Sequence, residues 1–150
     1  MQVIKRITAR LRPVILDDQG LVPALRYEVL EFERQTGITC DFTIDPEDLT
    51  ADDDHSTALY RILQESLTNI RNYARASKVV ISLTASPEQL VLQVQDDGIG
   101  ITEEQKEKTG AYGILGMCER ALHLGGKIKI QGTRGQGTQL SLAIPVKRKD

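Results

Sequence analysis

Hydrophobic residues recur at helical spacing in three stretches of the chain. The pattern over 3–16 predicts the end of a helix, disturbed at Pro13, and the polar residues 17–20 then predict a turn. A second amphipathic helix is predicted over 21–35, and the strongest helix of the chain over 56–76. The stripe predicted to face the core in this last helix consists of Leu59, Leu63, Leu67, Ile70 and Ala74.

Apolar and polar residues alternate as in strands at 38–44, 79–85, 90–94, 127–131 and 138–144. A short polar turn separates the second and third of these, which predicts a hairpin. Strands and helices do not alternate regularly along the chain. The pattern therefore favours an α+β fold with two layers, in which about three helices cover one mixed sheet of about five strands.

The polar stretch 96–113 is too long for a simple connection and is rich in Gly, Glu and Lys. We interpret it as a functional loop, with 101–112 as a lid that is mobile when its site is empty. A helix is predicted to follow over 114–124 and to end at Gly125.

Composition narrows the possible functions. The 150 residues are 40% hydrophobic, which is enough for one core, so one domain with a short appendage is expected. A net charge of -2 and the absence of Trp give no indication of a nucleic-acid site. Cys40 and Cys118 lack partners at zinc-site or disulfide spacing, and no apolar run reaches membrane-spanning length. These features predict a cytoplasmic piece of protein.

The helix predicted over 56–76 has a polar side opposite its apolar stripe. Glu65, Asn69 and Asn72 fall on that side, and the first two are neighbours because they are four residues apart. A carboxylate and an amide oxygen together suit a hard cation and a reacting water or hydroxyl. A solvated polar face is the alternative interpretation, and it would be favoured if this pair stood alone.

The segment from Asp96 to Gly100 has the pattern DxGxG and follows an apolar strand. A carboxylate at a strand end can accept the exocyclic amino hydrogen of adenine. Gly98 and Gly100 would permit close approach of the backbone to a purine. An ordinary acidic turn is the alternative.

Two further glycine clusters follow. Gly110 to Met117 places Gly113 and Gly116 at the start of a predicted helix, where free backbone N–H groups can bind phosphate. Gly135 to Thr138 lies between the last two strands. A helix-entry turn and a hairpin turn are the respective alternatives.

The order of these four clusters is more specific than any one of them. It resembles the N, G1, G2 and G3 boxes of the GHKL superfamily, which comprises gyrase, heat-shock chaperone, histidine kinase and mismatch-repair ATPases. The segments 64–69 (QESLTN) and 113–120 (GILGMCER) are similar to histidine kinases of the nitrate/nitrite-sensor type. Residues 11–21 resemble the join between the dimerisation domain and the ATPase domain of that family.

This resemblance implies a Bergerat ATP-binding fold that binds ATP and Mg²⁺. Residues 1–18 would then be the end of the dimerisation helix and a linker, 19–146 the catalytic domain and 147–150 a tail. Asn69 would bind Mg²⁺, Glu65 would assist phosphoryl transfer and Asp96 would bind adenine. The other implied nucleotide-binding residues are Asn72, Gly98, Gly100, Gly113, Ile114, Gly116, Met117 and Thr138.

Two positions depart from the family. Asn72 and Tyr73 stand where relatives usually have Lys and His, which leaves a phosphate contact from this turn open, with Arg71 as a substitute. His55 and His123 lack the neighbours of a phosphoacceptor, so the acceptor His is expected on a dimerisation domain outside this chain, with a response regulator as the next partner. Alternatives within the same fold are a nucleotide-binding module without kinase activity, of the clamp or degenerate type, and a serine kinase of the anti-sigma-factor type.

Overall fold

A computed structural model describes residues 13–107 and 113–146. Its strands form one sheet of five, in the order β1-β2-β3-β5-β4. The strands are β1 (Thr39–Asp45), β2 (Lys78–Ala85), β3 (Gln89–Asp96), β4 (Lys127–Thr133) and β5 (Gly137–Pro145). The helices are α1 (Val14–Gln19), α2 (Leu21–Thr36), α3 (Asp53–Asn69), α4 (Glu103–Glu107) and α5 (Ile114–His123).

The sheet is mixed. β1 pairs in parallel with β2, and the remaining neighbours, including the predicted β2–β3 hairpin, are antiparallel. Side chains on β2 and β3 alternate between buried and more exposed positions, so one face of the sheet packs on the core. The long helices α2, α3 and α5 pack on that face. The predicted two-layer α+β fold is therefore confirmed.

The first described residues differ from the prediction. Pro13 precedes α1 as its N-cap residue, and Asp17 and Asp18 lie inside α1 instead of in a turn. The part of the predicted helix before Pro13 lies outside the described residues. Proline is tolerated at a helix start because it lacks only an N–H that would have no partner there. The break falls at Gly20, whose φ of 86° suits glycine. Leu16 of α1 is buried in the hydrophobic core of the domain.

The helix predicted over 56–76 also differs in detail. It begins three residues earlier, at Asp53, because the Asp52 side chain accepts a hydrogen bond from the backbone N–H of His55 at 2.8 Å. It ends as an α-helix at Asn69 and continues as a π-helical turn over Ile70–Ala74. The predicted apolar stripe is buried as expected.

His55 packs inside the domain. It is buried, with Nδ1 2.8 Å from Asp52 Oδ1 and Nε2 2.8 Å from the carbonyl oxygen of Pro145. The ring thereby links the start of α3 to the end of β5.

The long loop is only partly as predicted. Its first part contains the short helix α4, and 101–107 are folded, while 108–112 lie outside the described residues, as does the predicted tail from 147. In the parts of the chain that the structure describes, none of the helices combines the length and the apolar composition needed to cross a membrane.

Asp97 ties β3 to the start of β2 and gives a pH prediction. Its Oδ1 accepts hydrogen bonds from the backbone N–H groups of Ser77 and Lys78, and its Oδ2 accepts one from the Ser77 hydroxyl at 2.6 Å. The Ser77 hydroxyl is the largest of the causes that lower the pKa of Asp97, from 3.8 to about 2. The folded state therefore binds this proton only at lower pH than the unfolded state does.

The stabilisation from Asp97 should be complete above the unfolded value and lost as pH falls through this range. We expect the free energy of unfolding to decrease between pH 3.8 and about 2, and this decrease to be smaller in Asp97→Asn. Chemical denaturation at several pH values measures it, with the exposed Asp41→Asn on β1 as control. An equal acid dependence in wild type and Asp97→Asn would contradict the assignment.

Candidate functional site

A cavity lies between the sheet, α3 and α5. Much of its wall is apolar, formed by Ile70, Ala74, Val94, Ile99, Ile101, Ile114, Met117, Ile130 and Leu140. The polar side chains in its lining are Ser66, Asn69, Tyr73, Asp96, Gln105 and Thr138. A cavity with largely apolar walls and a few converging polar groups is typical of a small-molecule site.

Asp96 is the buried charged group of this cavity. Only 4% of the residue is exposed, although it is the last residue of β3. Its Oδ1 accepts hydrogen bonds from the backbone N–H groups of Gly98 at 2.8 Å and Thr138 at 3.3 Å. Within the described residues Oδ2 accepts no further bond, so an acceptor remains for a ligand.

Burial raises the pKa of Asp96, and the neighbouring Asp97 adds to this effect. The two backbone hydrogen bonds act in the opposite direction, because they favour the charged form. Burying the charged carboxylate therefore lowers the stability of the fold. Such groups are common at functional sites, where a residue binds a ligand and does not stabilise the protein.

The two glycines of the DxGxG segment have different surroundings. Gly98 does not line the cavity. It packs against the backbone of Ala74, and a Cβ at Gly98 would overlap the Ala74 carbonyl group. That same carbonyl accepts a hydrogen bond from the Ile99 N–H at 2.8 Å. Gly98 therefore lets the loop pack directly on the π-helical turn, and its predicted contact with a base stays a prediction. Gly100 does line the cavity.

The π-helical turn changes which residues follow Asn69 on the cavity side. Asn69 and Tyr73 line the cavity, whereas Asn72 is exposed and does not. An i→i+5 turn contains one more residue than an α-helical turn and so rotates the positions after it. Asn72 Oδ1 accepts a long hydrogen bond of 3.4 Å from Arg71 Nε.

Arg71, considered above as a substitute phosphate ligand, points elsewhere. Its guanidinium donates to Gln35 on α2 at 3.4 Å, and Arg71 is not part of the cavity lining. This turn therefore offers the cavity a Tyr73 side chain in place of a cation.

Glu65 lies one helical turn before Asn69 and packs against the start of α5. A Cβ on Gly113 would lie 2.8 Å from Glu65 Cγ, and still closer to the carboxylate. Gly113 has a φ of 63° and is the N-cap residue of α5. The Glu65 carboxylate thus occupies the space that a side chain at residue 113 would need. This contact joins the end of the long loop to α3.

Arg120 of α5 interacts electrostatically with the Glu65 carboxylate. Burial and the nearby Arg61 guanidinium lower the pKa of Arg120, whereas the Glu65 carboxylate raises it. The Arg120 guanidinium therefore connects α5 to two charged side chains of α3.

The remaining predicted residues divide between the cavity and other surfaces. Ile114 and Met117 line the cavity with apolar side chains, and Gly113 does not. Gly116 has open space around it and borders a separate depression between α3 and α5. Thr138 lines the cavity, and its hydroxyl accepts a hydrogen bond from the Ile101 N–H at 2.8 Å.

Sequence reasoning did not single out several lining residues. Ser66, whose hydroxyl donates to the Ile62 carbonyl at 2.7 Å, and Ile130 carry no recognisable sequence signal. Gln105 does carry one, because Thr102 and Gln105 have the spacing of a helix capping box.

Comparison with known proteins places this geometry in a family. Residues 54–148 match the model of the histidine kinase-, DNA gyrase B- and HSP90-like ATPases. The chain is 34% identical over 143 residues to a protein of Brevibacillus brevis named signal transduction histidine-protein kinase/phosphatase DegS. It is 31% identical over 143 residues to oxygen sensor histidine kinase NreB of Staphylococcus carnosus.

These alignments cover 95% of the chain but only 37% of DegS and 41% of NreB, so the chain spans about two fifths of the length of these relatives. Among solved structures, the catalytic domain of histidine kinase ThkA superposes with a TM-score of 0.66 at 25% identity. That match covers 84% of this chain and 90% of the other. The resemblance to the catalytic domain of a sensor histidine kinase is thereby confirmed.

The family model covers more than half of the chain and includes α3, the cavity and the last strand. The chain therefore belongs to the histidine kinase-, DNA gyrase B- and HSP90-like ATPase family.

Proposed function

We propose that this chain binds ATP in the cavity and transfers its γ-phosphate to a histidine on a dimerisation domain, from which a response regulator receives it. The observation that carries the proposal is the buried Asp96 carboxylate, which keeps Oδ2 as an acceptor at the edge of an apolar cavity. An adenine base matches this arrangement, because it combines an apolar ring with an exocyclic amino donor. A hydrogen bond to a charged acceptor contributes about 1.5–3 kcal/mol, enough to select adenine over a base without that donor.

Asn69 is the residue we assign to Mg²⁺. It lines the cavity from α3, and one amide oxygen is sufficient because magnesium takes most of its ligands from water and phosphate. When bound, the ion would supply neutralisation of charge on the phosphates. Glu65 stands one helical turn away, where a carboxylate can orient the attacking group or accept its proton. The other nucleotide-binding residues stay predictions: Asn72, Gly98, Gly100, Gly113, Ile114, Gly116, Met117 and Thr138.

The names of the relatives favour the kinase role over the alternatives. DegS and NreB are both named histidine kinases, whereas the clamp and serine-kinase alternatives rest only on the shared fold. A cytoplasmic location is part of the proposal, because the half-buried free thiols of Cys40 and Cys118 suit a reducing compartment.

The test separates nucleotide binding from transfer. The chain is incubated with radiolabelled ATP, Mg²⁺ and the histidine-bearing domain of a related kinase, and phosphohistidine is measured. We expect Glu65→Gln to bind ATP within about twofold of wild type and to transfer about 100-fold more slowly, since a positioned acid or base contributes at least that much. Glu47→Gln, at an exposed position in the loop after β1, is the matched control.

Wild-type protein that binds ATP but transfers nothing, while the helical domain accepts phosphate from its own kinase, would leave the degenerate binding module as the better description. Transfer by Glu65→Gln at the wild-type rate would remove Glu65 from the mechanism.

A further inference from the structure

The side chain of Gln105 has a fixed orientation at the edge of the cavity. Its Oε1 accepts a hydrogen bond from the backbone N–H of Thr102 at 2.9 Å, and the Thr102 hydroxyl accepts one from the backbone N–H of Gln105 at 3.1 Å. This is a capping box for α4. Because the partner of Oε1 is a backbone donor, the other end of the carboxamide must be the NH₂ group.

The segment that carries Gln105 is anchored to the sheet. The Ile101 N–H donates to the Thr138 hydroxyl, and Gly132 lacks a Cβ where the Ile101 backbone packs on β4. Lys106 Nζ donates to the Ile130 carbonyl at 2.8 Å and lies 2.7 Å from Glu103 Oε1. The loop from 101 to 106 is thus held against the sheet and forms a shelf beside the cavity.

Gln105 lines the cavity from this shelf, and within the described residues its Nε2 donates to no protein acceptor. Asp96, in the same lining, offers an acceptor. The cavity therefore presents one fixed acceptor and one fixed donor to whatever occupies it. Much of the surrounding wall is apolar, and a low local dielectric strengthens hydrogen bonds to a ligand.

We infer that Gln105 is a specificity-determining residue of the nucleotide site, whose Nε2 donates a hydrogen bond to an acceptor atom of the bound adenosine. The inference rests on the proposed function, since it assumes that adenosine occupies the cavity. The acceptor is either a ring nitrogen of the base or a ribose oxygen, since both have the same hydrogen-bonding chemistry.

The decisive variant is Gln105→Glu. Glutamate serves equally well in a capping box, so the shelf keeps its structure, but the NH₂ donor is replaced by an oxygen. Calorimetric titration of the whole chain with ADP should show binding that is about tenfold weaker. The melting temperature without nucleotide should not change. Gln93→Glu, which makes the same change on the open face of the sheet, should bind ADP as wild type does.

Ligand analogues separate a lost hydrogen bond from a general effect of the added charge. ADP analogues with one ring nitrogen replaced by carbon, and 2′- and 3′-deoxy ADP, are titrated into wild type and Gln105→Glu. We expect one analogue to bind wild type about tenfold more weakly than ADP and to bind Gln105→Glu no worse than ADP does. A deaza analogue identifies the base as acceptor, and a deoxy analogue identifies the ribose.

Equal losses for every analogue in both proteins would overturn the inference, and so would unchanged ADP binding by Gln105→Glu. Both results leave ATP binding itself intact. Absence of ADP binding by the wild-type chain would instead overturn the proposed function together with the inference.

Discussion

Asp96→Asn should weaken nucleotide binding by about 100-fold and at the same time stabilise the empty protein. Binding suffers because the charged acceptor is lost and an amide NH₂ would face the amino group of adenine. Stability increases because Asn keeps an Oδ1 that accepts from Gly98 and Thr138 and no longer buries a charge. Calorimetry with ATP and denaturant unfolding at pH 7 measure the two effects.

The sign of the stability effect can be checked against pH. Since burial raises the pKa of Asp96, the folded state holds this proton to higher pH than the unfolded state does. Its contribution to the free energy of unfolding therefore decreases as pH rises above the unfolded value of about 3.8. Asp96→Asn should lack this decrease. Asp97→Asn is the matched control, because it removes a carboxylate that the fold stabilises, and it should be less stable at pH 7.

A loss of binding without any gain in stability would mean that groups other than the two backbone donors offset the cost of burying the Asp96 charge. Unchanged ATP binding by Asp96→Asn would exclude Asp96 as the adenine acceptor.

Gly98→Ala should destabilise the fold by about 3 kcal/mol, near the upper end of the range for overpacking. The added methyl group would overlap the Ala74 carbonyl, which is backbone and cannot rotate away. The same overlap would displace the π-helical turn that carries Tyr73, so ATP binding should also weaken. Thermal and denaturant unfolding measure the first effect, and titration with ATP at a temperature where the variant is folded measures the second.

Gly116→Ala provides the contrast within the same set of predicted residues. Gly116 lies in α5 with no atom within 4 Å of an added Cβ. Alanine favours the helix over glycine by about 0.5–1 kcal/mol, so this variant should be more stable than wild type. If both variants changed stability equally, the close contact at Gly98 would not be the reason for that glycine.

The sequence was most informative where a side chain either enters the core or remains outside it. The buried stripe on α3 and the π-helical turn was predicted in full, because the spacing of apolar residues along a helix follows the face that is buried. The hairpin β2–β3 was predicted because apolar and polar residues alternate between the two faces of a sheet. Asp96 could be selected because it begins a DxGxG pattern directly after an apolar strand, where a carboxylate can accept the amino hydrogen of adenine.

The sequence was least informative where two distant segments meet. Nothing near Gly98 indicates that the Ala74 carbonyl fills the space beside it, and nothing near Gly113 indicates the Glu65 side chain. The sequence could not show, for a related reason, that Asn72 lies outside the cavity lining. An α-helical projection cannot anticipate a π-helical turn, which depends on how Ile70–Ala74 pack against the loop after β3.

For this protein, the sequence by itself determined the α+β class, the positions of the main helices and strands, and the glycine and carboxylate clusters that identify an ATPase family. These are encoded by the polarity and conformational freedom of single residues and their near neighbours. The tertiary structure alone decided that Tyr73 and Gln105 line the cavity, and that Asn72, Gly98 and Gly116 do not. It decided them because cavity walls are built from segments far apart in the chain, whose mutual distances no local pattern records.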